Sequence, residues 1–270
     1  MLYTLPESAY SKVKGIFSDW ESNTRVMSVI EKNTKGKIWV DNIRNPSTAL
    51  VWSYSDMFSL GGYAKNEQFN SALEQHVIEN ILPETQSIGL TYFAVQLYPV
   101  DAWKKTIGTL FSRPLRVNYE YHFTFNDDTY QESPRLDTPS NSVLVQVDTK
   151  FLEKECAEPL KTEIKETWDS VNAFVRKGMG VCLLLDDEIV CRCTSRHVAG
   201  NCHNISIATT EKHRGKGFAT LTAQAFVDIC LSHDLIPVWM ADEDNAASIR
   251  VAEKLGFEKA GKYPDYYFMF

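Results

Sequence analysis

A glycine-rich basic turn, lying between a predicted strand and a predicted helix, has the residue types and spacing of a binding site. The turn occupies residues 211–220, directly after the apolar strand that ends near Ala208. Glycines at positions 215 and 217 let the backbone turn sharply and let an anion approach the amides closely. The helix that begins near Phe218 offers unpaired N–H groups and the positive end of its dipole. The turn therefore predicts a site for an anion, and for a pyrophosphate in particular.

The turn lies in a run of alternating strands and helices. Residues 205–208 form an apolar strand, apolar residues recur at helical spacing over 221–231, and 236–241 has the pattern of a buried strand. Another helix follows Asn245 and ends at the C-cap residue Gly256. The turn lacks both the P-loop pattern and the three-glycine dinucleotide fingerprint, which distinguishes it from those phosphate loops.

Two motifs in this run resemble signatures of the GCN5-related N-acetyltransferase (GNAT) superfamily. The pattern Arg-x-x-Gly-x-Ala over 214–219 resembles the family's acyl-CoA signature, Gln/Arg-x-x-Gly-x-Gly/Ala. The pattern Asn-x-x-Ser over 245–248, followed by Lys-Leu-Gly-Phe over 254–257, resembles its final signature. With the segments 174–182 and 237–239, the chain resembles a two-domain bacterial branch of this superfamily, the branch of the zwittermicin A resistance acetyltransferase.

The resemblance implies an α/β protein with a mixed sheet that acts as an N-acetyltransferase. It would move an acetyl group from the cosubstrate acetyl-CoA to a primary amine of a small molecule, by direct attack in a ternary complex. No metal is expected. The alternative is a non-catalytic protein that binds or senses acyl-CoA on the same scaffold. Acceptor identity does not transfer, because pockets on one fold vary widely.

The resemblance also implies which residues hold acetyl-CoA. In this family the strand before the turn diverges from the next strand, and acyl-CoA lies in the opening. The strand would contact the pantetheine arm, the turn amides would hold the pyrophosphate, and the residues after the next strand would reach the arm from the other side. The implied residues are Ile205, Ser206, Ile207, Ala208, Arg214, Gly215, Lys216, Gly217, Phe218, Ala219, Thr220, Asn245 and Ser248. The alternative roles are ordinary ones: core strand residues and a helix N-cap.

The chain departs from the family at two positions that assist catalysis. Asn204 stands where many members have a Glu before the turn, and Ala252 stands where many have a Tyr. Attack of an amine on a thioester needs a deprotonated nucleophile, an oxyanion donor and often an acid for the leaving thiolate. An amide does not titrate, so other groups must be considered for the proton transfers.

The candidate catalytic residues are His203, Asn204, Glu243 and Tyr266. Histidine ordinarily titrates near neutrality, Glu243 belongs to the acidic run 242–244 that would attract a cationic amine, and a terminal tyrosine is a candidate acid. Each has a structural alternative: a surface histidine, an acidic run that favours a helix dipole, and an aromatic core residue. Proximity and backbone oxyanion donors alone are a further alternative.

Composition excludes several classes of protein. The chain has 270 residues, of which 44% are hydrophobic and 12% aromatic, enough for sizeable cores. A net charge of −7 argues against a nucleic-acid partner bound through phosphates. No apolar run approaches a membrane span and no secretory signal is visible, so we expect a cytoplasmic protein. A homodimer remains open.

The six cysteines are expected to be reduced thiols. Cys182, Cys191 and Cys193 fall in strand-like runs, where free cysteine behaves as a small hydrophobe. The alternative is a zinc site formed by Cys191, Cys193, Cys202 and His203, but the paired C-x2-C spacing is missing.

Two domains are predicted: an N-terminal α+β domain over 1–130 and the GNAT domain over 136–270. The polar, proline-containing segment 126–141 between them is consistent with a linker.

The first half mirrors the second in its order of elements, which predicts a repeat. The predicted elements are a helix near 6–20, strands at 25–30, 37–41 and 48–53, the pair Gly61-Gly62, a helix at 66–81, a strand at 91–97, a helix at 100–110 and a strand at 115–125. The acyl-CoA signature is absent there, so we expect a degenerate GNAT-like copy that does not bind CoA. The alternative is an unrelated α+β domain.

Overall fold

The computed structural model describes residues 2–18 and 23–270. These residues form two units. The first contains the chain up to Glu120 together with Lys262–Phe270, and the second contains Tyr121–Gly261. The end of the chain therefore belongs to the same unit as its beginning, although the predicted domain boundaries place it with the second half.

The elements of the first half follow the order expected for the repeat, with a few differences in type. They are β1 (Tyr3–Thr4), a 3-10 helix (Glu7–Ile16), α1 (Thr24–Ile30), β2 (Lys37–Val40), β3 (Thr48–Trp52), β4 (Phe58–Gly62), α2 (Glu67–His76), a π-helical turn (Val77–Ile81), α3 (Leu82–Ser87), β5 (Tyr92–Tyr98), α4 (Val100–Trp103), a 3-10 turn (Ile107–Thr109) and β6 (Arg116–Phe125).

One prediction for the first half is wrong, and one strand was not predicted. The strand expected at 25–30 is helix α1, whose N-terminus is capped because Asn23 accepts a hydrogen bond from the backbone N–H of Val26 at 3.0 Å. The strand β4 was not predicted. The part of the expected helix beyond Ser18 lies outside the described residues.

The second half begins with α5 (Asp127–Glu132), in the segment that the sequence analysis interpreted as a linker. The elements that follow are β7 (Ser142–Gln146), α6 (Thr149–Leu152), a 3-10 turn (Glu155–Ala157), α7 (Glu158–Thr167), α8 (Val171–Lys177), β8 (Gly180–Leu185), β9 (Glu188–Ala199), β10 (Cys202–Thr209), a 3-10 turn (Glu211–His213), α9 (Phe218–Ser232), β11 (Ile236–Asp242), α10 (Ala246–Lys254) and β12 (Phe257–Met269).

The strands of each unit follow the same pattern. The first unit has the order β1-β2-β3-β4-β5-β12, and the second has β7-β8-β9-β10-β11-β6. In the first unit β4 and β5 are parallel, and in the second β10 and β11 are parallel. The neighbouring pairs β3-β4 and β9-β10 are antiparallel. The mixed sheets, with helices packed on them, confirm the predicted α/β class.

The core of the second unit lies on both faces of its sheet. On one face α9 and α10 pack through Phe226 and Ile249 on Trp239 and Phe257. Another cluster joins the residues of α6–α8 to β8 and β9, with Trp168 and Phe174 in T-shaped contact at a centroid distance of 5.5 Å. Burial of these side chains, driven by the hydrophobic effect, fixes the helices against β8–β11.

Candidate functional site

The parallel strands β10 and β11 diverge part-way along their length. Their pairing ends at Asn204 opposite Val238, although β10 continues to Thr209 and β11 to Asp242. Against β9, β10 also shifts register between Asn204 and Ile205, an irregularity that bends a strand. Beyond Asn204, the edge of β10 on the β11 side has no strand partner among the described residues. Over residues 205–208, the N–H and C=O groups of this edge are therefore open to a ligand.

The side chain of Asn204 joins the two strands just before they part. Its Nδ2 donates a long hydrogen bond of 3.5 Å to the carbonyl oxygen of Val238. The residue is only 5% exposed. Asn204 therefore joins the two strands at the point where they part. Its side chain does not project into the opening, where a catalytic base would have to lie.

The glycine-rich turn leaves the N-terminus of α9 open. Gly215 and Gly217 have φ values of +77° and +81°, which favour glycine, and a Cβ added at either position would have no atom within 4 Å. The amide of Leu221 bonds to the carbonyl of Gly217 at 3.1 Å, so the amides that precede it in the helix have no acceptor within the helix. No side chain of the described residues caps this terminus. These features fit a pyrophosphate.

A groove of about 700 Å³ contains the turn and the end of β10. Its lining includes ten of the residues that the family resemblance implied. They are Ile207, Ala208, Arg214, Gly215, Gly217, Phe218, Ala219, Thr220, Asn245 and Ser248. Three others lie outside that lining: Ile205 is in the core, Ser206 lines a second cavity, and Lys216 is exposed.

Sequence reasoning missed the basic residues that α10 contributes to the groove. Arg250 and Lys254 line it together with Ala247 and Val251. Positions separated by three or four residues share one face of a helix, so the spacing was visible in the sequence. Their charges were indistinguishable there from those of an ordinary solvent-exposed face. With Arg214 they give this groove a positive wall suited to phosphates.

Asn245 is both the N-cap of α10 and a residue of the groove. Its Oδ1 accepts the backbone N–H of Ser248 at 3.1 Å, and the hydroxyl oxygen of Ser248 accepts the indole N–H of Trp239 at 2.9 Å. The backbone N–H of Asn245 donates to the carbonyl oxygen of Asp242 at 3.0 Å, but its side-chain Nδ2 has no hydrogen-bond partner among the residues that the structure describes. That nitrogen remains a donor for a carbonyl group in the groove.

A second cavity, of about 460 Å³, lies between α7 and the strands β9 and β10. Successive residues of β10 divide between the two cavities: Ile207 lines the groove, Ser206 lines the second cavity, and Ala208 lines both. Alternate side chains of a strand point to opposite faces of its sheet. The two cavities therefore meet along β10, at the place where its edge is free of β11.

The structure places His203 in the interior. It is 4% exposed, and its Nδ1 lies 2.9 Å from the hydroxyl oxygen of Ser195. That hydroxyl oxygen accepts the backbone N–H of Met179 at 3.2 Å, so the hydroxyl proton is available to Nδ1. Burial lowers the pKa of His203 to about 4. The imidazole is neutral at pH 7 and supports Ser195, which itself lines the second cavity.

The other catalytic candidates do not line either cavity. Glu243 is exposed in the turn after β11. Tyr266 belongs to the first unit, where it pairs with Val95 in β5 and packs against that unit's core. Within the second unit, the structure therefore does not bring His203, Asn204 and Glu243 together at either cavity.

The cysteines are free thiols, and several are buried. Burial raises the pKa of Cys182 and of Cys230 to about 12 in each case. In the described ranges, no group of three or more His, Cys, Asp and Glu side chains is arranged to hold a metal ion. None of the described helices is long and apolar enough to span a bilayer.

Comparisons with known proteins agree with this geometry. A family model described as GNAT acetyltransferase matches residues 14–266. The uncharacterized N-acetyltransferase YdfB of Bacillus subtilis (strain 168) is 26% identical over 267 residues, covering 99% of this chain and 98% of YdfB.

Solved structures share the fold at lower identity. A GCN5-related N-acetyltransferase-like protein from Streptococcus suis 89/1591 superposes with a TM-score of 0.69 at 22% identity, over 96% of this chain and 98% of that one. A tandem GNAT protein from the clavulanic acid biosynthesis pathway, solved without AcCoA, gives a TM-score of 0.59 at 12% identity, over 100% and 98% of the two chains. With the family model covering most of its length, this chain belongs to the GNAT acetyltransferase family and is an N-acetyltransferase.

Proposed function

We propose that this enzyme transfers the acetyl group of acetyl-CoA to a primary amine of a small molecule, by direct attack in a ternary complex. One observation carries the proposal: the end of β10, beyond the point where it parts from β11, and the uncapped N-terminus of α9 border a single groove. A CoA thioester has an amide-containing arm that fits a strand edge, and a pyrophosphate that fits a helix N-terminus.

The residues of the groove divide between these two parts of acetyl-CoA. The amides from Gly215 to Thr220 would hold the pyrophosphate, with Arg214, Arg250 and Lys254 supplying positive charge. The free edge of β10 over 205–208 and the side-chain Nδ2 of Asn245 would bond to the pantetheine arm. Acetyl-CoA supplies the activated acyl group, so the protein needs to supply position and electrostatics.

The acceptor would approach from the second cavity, which meets the groove along β10 at Ala208. Its nitrogen forms a bond to the carbonyl carbon, the carbon–sulfur bond breaks, and the proton lost by the nitrogen ends on the departing thiolate. Because Asn204 and the buried His203 are poor bases, the chain relies on proximity and on backbone N–H groups near the developing oxyanion.

Gly217→Glu tests the phosphate seat directly. A carboxylate at the mouth of this site would repel the pyrophosphate, so we expect acetyl-CoA affinity, measured by calorimetric titration, to fall by about tenfold or more. Gly89→Glu is the matched control, because Gly89 also has a positive φ of +87° with no atom within 4 Å of an added Cβ, but it lies in the first unit after α3. Unchanged affinity in Gly217→Glu would refute the seat.

Turnover is then measured as CoA-thiol release with a panel of primary amines. Release that depends on both acetyl-CoA and an amine is the expected result. If acetyl-CoA binds but none of the amines leads to release of CoA thiol, the result would instead favour an acyl-CoA sensor.

A further inference from the structure

The second cavity has walls of balanced charge. Its titratable lining residues are Glu163 and Glu166 from α7 and Arg192 and Arg196 from β9. Two carboxylates and two guanidiniums leave the lining with no net charge, which disfavours both a polyamine and a phosphate dianion as the occupant. A ligand with one positive and one negative group matches such a lining.

The register of β9 and β10 sets the floor of this cavity. Arg192 and Thr194 lie opposite Ala208 and Ser206 respectively. The pairing then shifts, with Ser195 opposite Ile205 and His197 opposite Asn204, so Arg196 is the extra residue of a bulge in β9 and lines the cavity beside Ser195. The floor therefore runs from the free edge of β10 to Arg196.

Among these four charged side chains, one carboxylate and one guanidinium form an ion pair with each other. Arg192 forms an ion pair with Glu163, in which the two side chains are 31% and 27% exposed. Arg196 is partly buried and forms no ion pair among residues 2–18 and 23–270. A guanidinium that is partly removed from water loses hydrogen bonds to water. A bound carboxylate would replace them with a pair of charge-assisted hydrogen bonds.

The α7 side of the cavity carries carboxylates, whose negative charge complements that of Arg196. Glu163 and Glu166 are separated by three residues and so share one face of α7 with Thr162 and Thr167. Glu166 has no ion-pair partner in the part of the chain that the structure describes. An ammonium group in this cavity would therefore find a carboxylate on α7 that no cation of the described residues already neutralises.

We infer that the acetyl acceptor is a small amine that also carries a carboxylate, and that Arg196 binds this carboxylate. The inference rests on the proposed acetyl transfer and adds the acceptor's chemical class. The cavity's 460 Å³ lies in the range of small-molecule sites. With its carboxylate at Arg196, the acceptor holds its amine towards Ser206 and Ala208, on the strand that would hold the thioester.

The test compares matched acceptors that differ only at one group: free amino acids and ω-amino acids against their carboxamides. Thiol release should give a kcat/KM for the carboxylate members that is about tenfold or more above that of the carboxamides. In Arg196→Gln this preference should disappear, through a higher KM for the carboxylates with little change for the carboxamides. Arg176→Gln, which replaces an exposed arginine in α8 outside the cavity lining, should behave as the unaltered protein.

Binding gives a second readout that does not need turnover. Amino acids titrated onto the complex with CoA should bind the unaltered protein and bind Arg196→Gln about tenfold more weakly. Acetyl-CoA affinity should be equal in both proteins, which shows that the variant folds.

The outcomes separate this inference from the proposed function. Equal use of carboxylates and carboxamides, or a preference that survives in Arg196→Gln, overturns the role of Arg196 while acetyl transfer stands. Bound acetyl-CoA without thiol release for any amine overturns both.

Discussion

His203 shows how burial changes the role of a residue whose type suggests catalysis. Its Nδ1 contacts the hydroxyl of Ser195, and the carbonyl oxygen of Ser195 accepts the indole N–H of Trp168 at 3.1 Å. Ser195 and Trp168 both line the second cavity. His203 is therefore a positioning residue that fixes the wall of this cavity from inside the sheet.

The pH dependence of stability follows from the same burial. The pKa of His203 is lowered to about 4, below the value of about 6.5 expected in an unfolded chain. The unfolded state therefore binds the proton more readily, and this contribution to the free energy of unfolding is complete above pH 6.5 and is lost as the pH falls towards 4. The loss should approach about 1.4 kcal/mol per pH unit in that window.

Urea unfolding of His203→Gln at several pH values between 7 and 4 checks this. The variant should be less stable at pH 7, but its stability should fall less steeply with acid than that of the unaltered protein. His233→Gln, at an exposed position after α9, should parallel the unaltered protein. Equal slopes in all three proteins would mean that His203 titrates normally.

The groove could be predicted at the residue scale because its signal is local in sequence. Gly215 and Gly217 stand in one short turn, and their chemistry depends on backbone freedom alone. The second cavity gave no such signal. Glu166 and Arg196 are brought together only by the packing of α7 on β9, so their lack of an ion pair was invisible in the sequence.

At the scale of elements, α5 illustrates how a polar segment can be firmly packed. The hydroxyl of Tyr130, which is 0% exposed, donates its proton to Asp228 Oδ1 at 2.6 Å, and the carbonyl oxygen of Gln224 lies 3.0 Å from the same hydroxyl oxygen; both partners are on α9. Arg135 donates to that hydroxyl and lies over the ring, 4.7 Å from its centroid. The segment expected to be a linker thus anchors α9, the helix whose N-terminus borders the groove.

Tyr130→Phe should weaken this anchor measurably. Asp228 remains paired with Arg135 and is half exposed, so water replaces the lost donor on the carboxylate. The free energy of unfolding should therefore fall by about 1.5–2 kcal/mol, the lower part of the range for a hydrogen bond to a charged group. Urea unfolding measures this. In the control Tyr63→Phe, at a tyrosine 58% exposed, a change within about 0.5 kcal/mol is expected. A loss as small in Tyr130→Phe would show that the hydroxyl contributes nothing to the anchor.

Strand β4 was not predictable from pattern, and its glycines explain why. A Cβ on Gly61 would lie 2.4 Å from the ring of Phe17, and Gly62 has a φ of +94°. Gly61 leaves room for Phe17, which follows the N-terminal 3-10 helix and packs against the strand. In a sequence, however, a pair of glycines indicates a turn, so the strand was not recognised. Helix α1 escaped prediction for a related reason: its run of valine and isoleucine favours a strand, and the cap at Asn23 decides otherwise.

At the scale of the whole molecule, the two units share one order of elements and differ where CoA would bind. In the second unit, β10 and β11 part beyond Asn204. In the first unit, β4 and β5 remain paired as far as Gly61 opposite Tyr98, and β4 ends one residue later. The first pair therefore leaves no strand edge open for a pantetheine arm, which supports the prediction of a degenerate repeat.

The helix that follows β4 differs as well. The N-terminus of α2 is capped by Asn66, whose Oδ1 accepts the N–H of Phe69 at 3.1 Å and whose Nδ2 donates to Asp41 at 2.9 Å. Burial alone would raise the pKa of Asp41. Hydrogen bonds from Ser47, Thr48 and Asn66 outweigh burial and lower this pKa below its ordinary value. This carboxylate is thus ionised at neutral pH, beside the residue that caps the helix, and it disfavours a phosphate there.

Calorimetric titration of the full chain should therefore give a single acetyl-CoA per chain, although the fold is repeated. The closed pair β4-β5 and the carboxylate of Asp41 remove both halves of the site from the first unit, whereas the open pair β10-β11 and the uncapped α9 provide both in the second. Gly217→Glu makes the test more specific, because its isotherm should show no acetyl-CoA binding at the affinity of the unaltered protein. A residual event in that variant, with the affinity of the unaltered protein, would place a working site in the first unit and contradict the assignment of a silent copy.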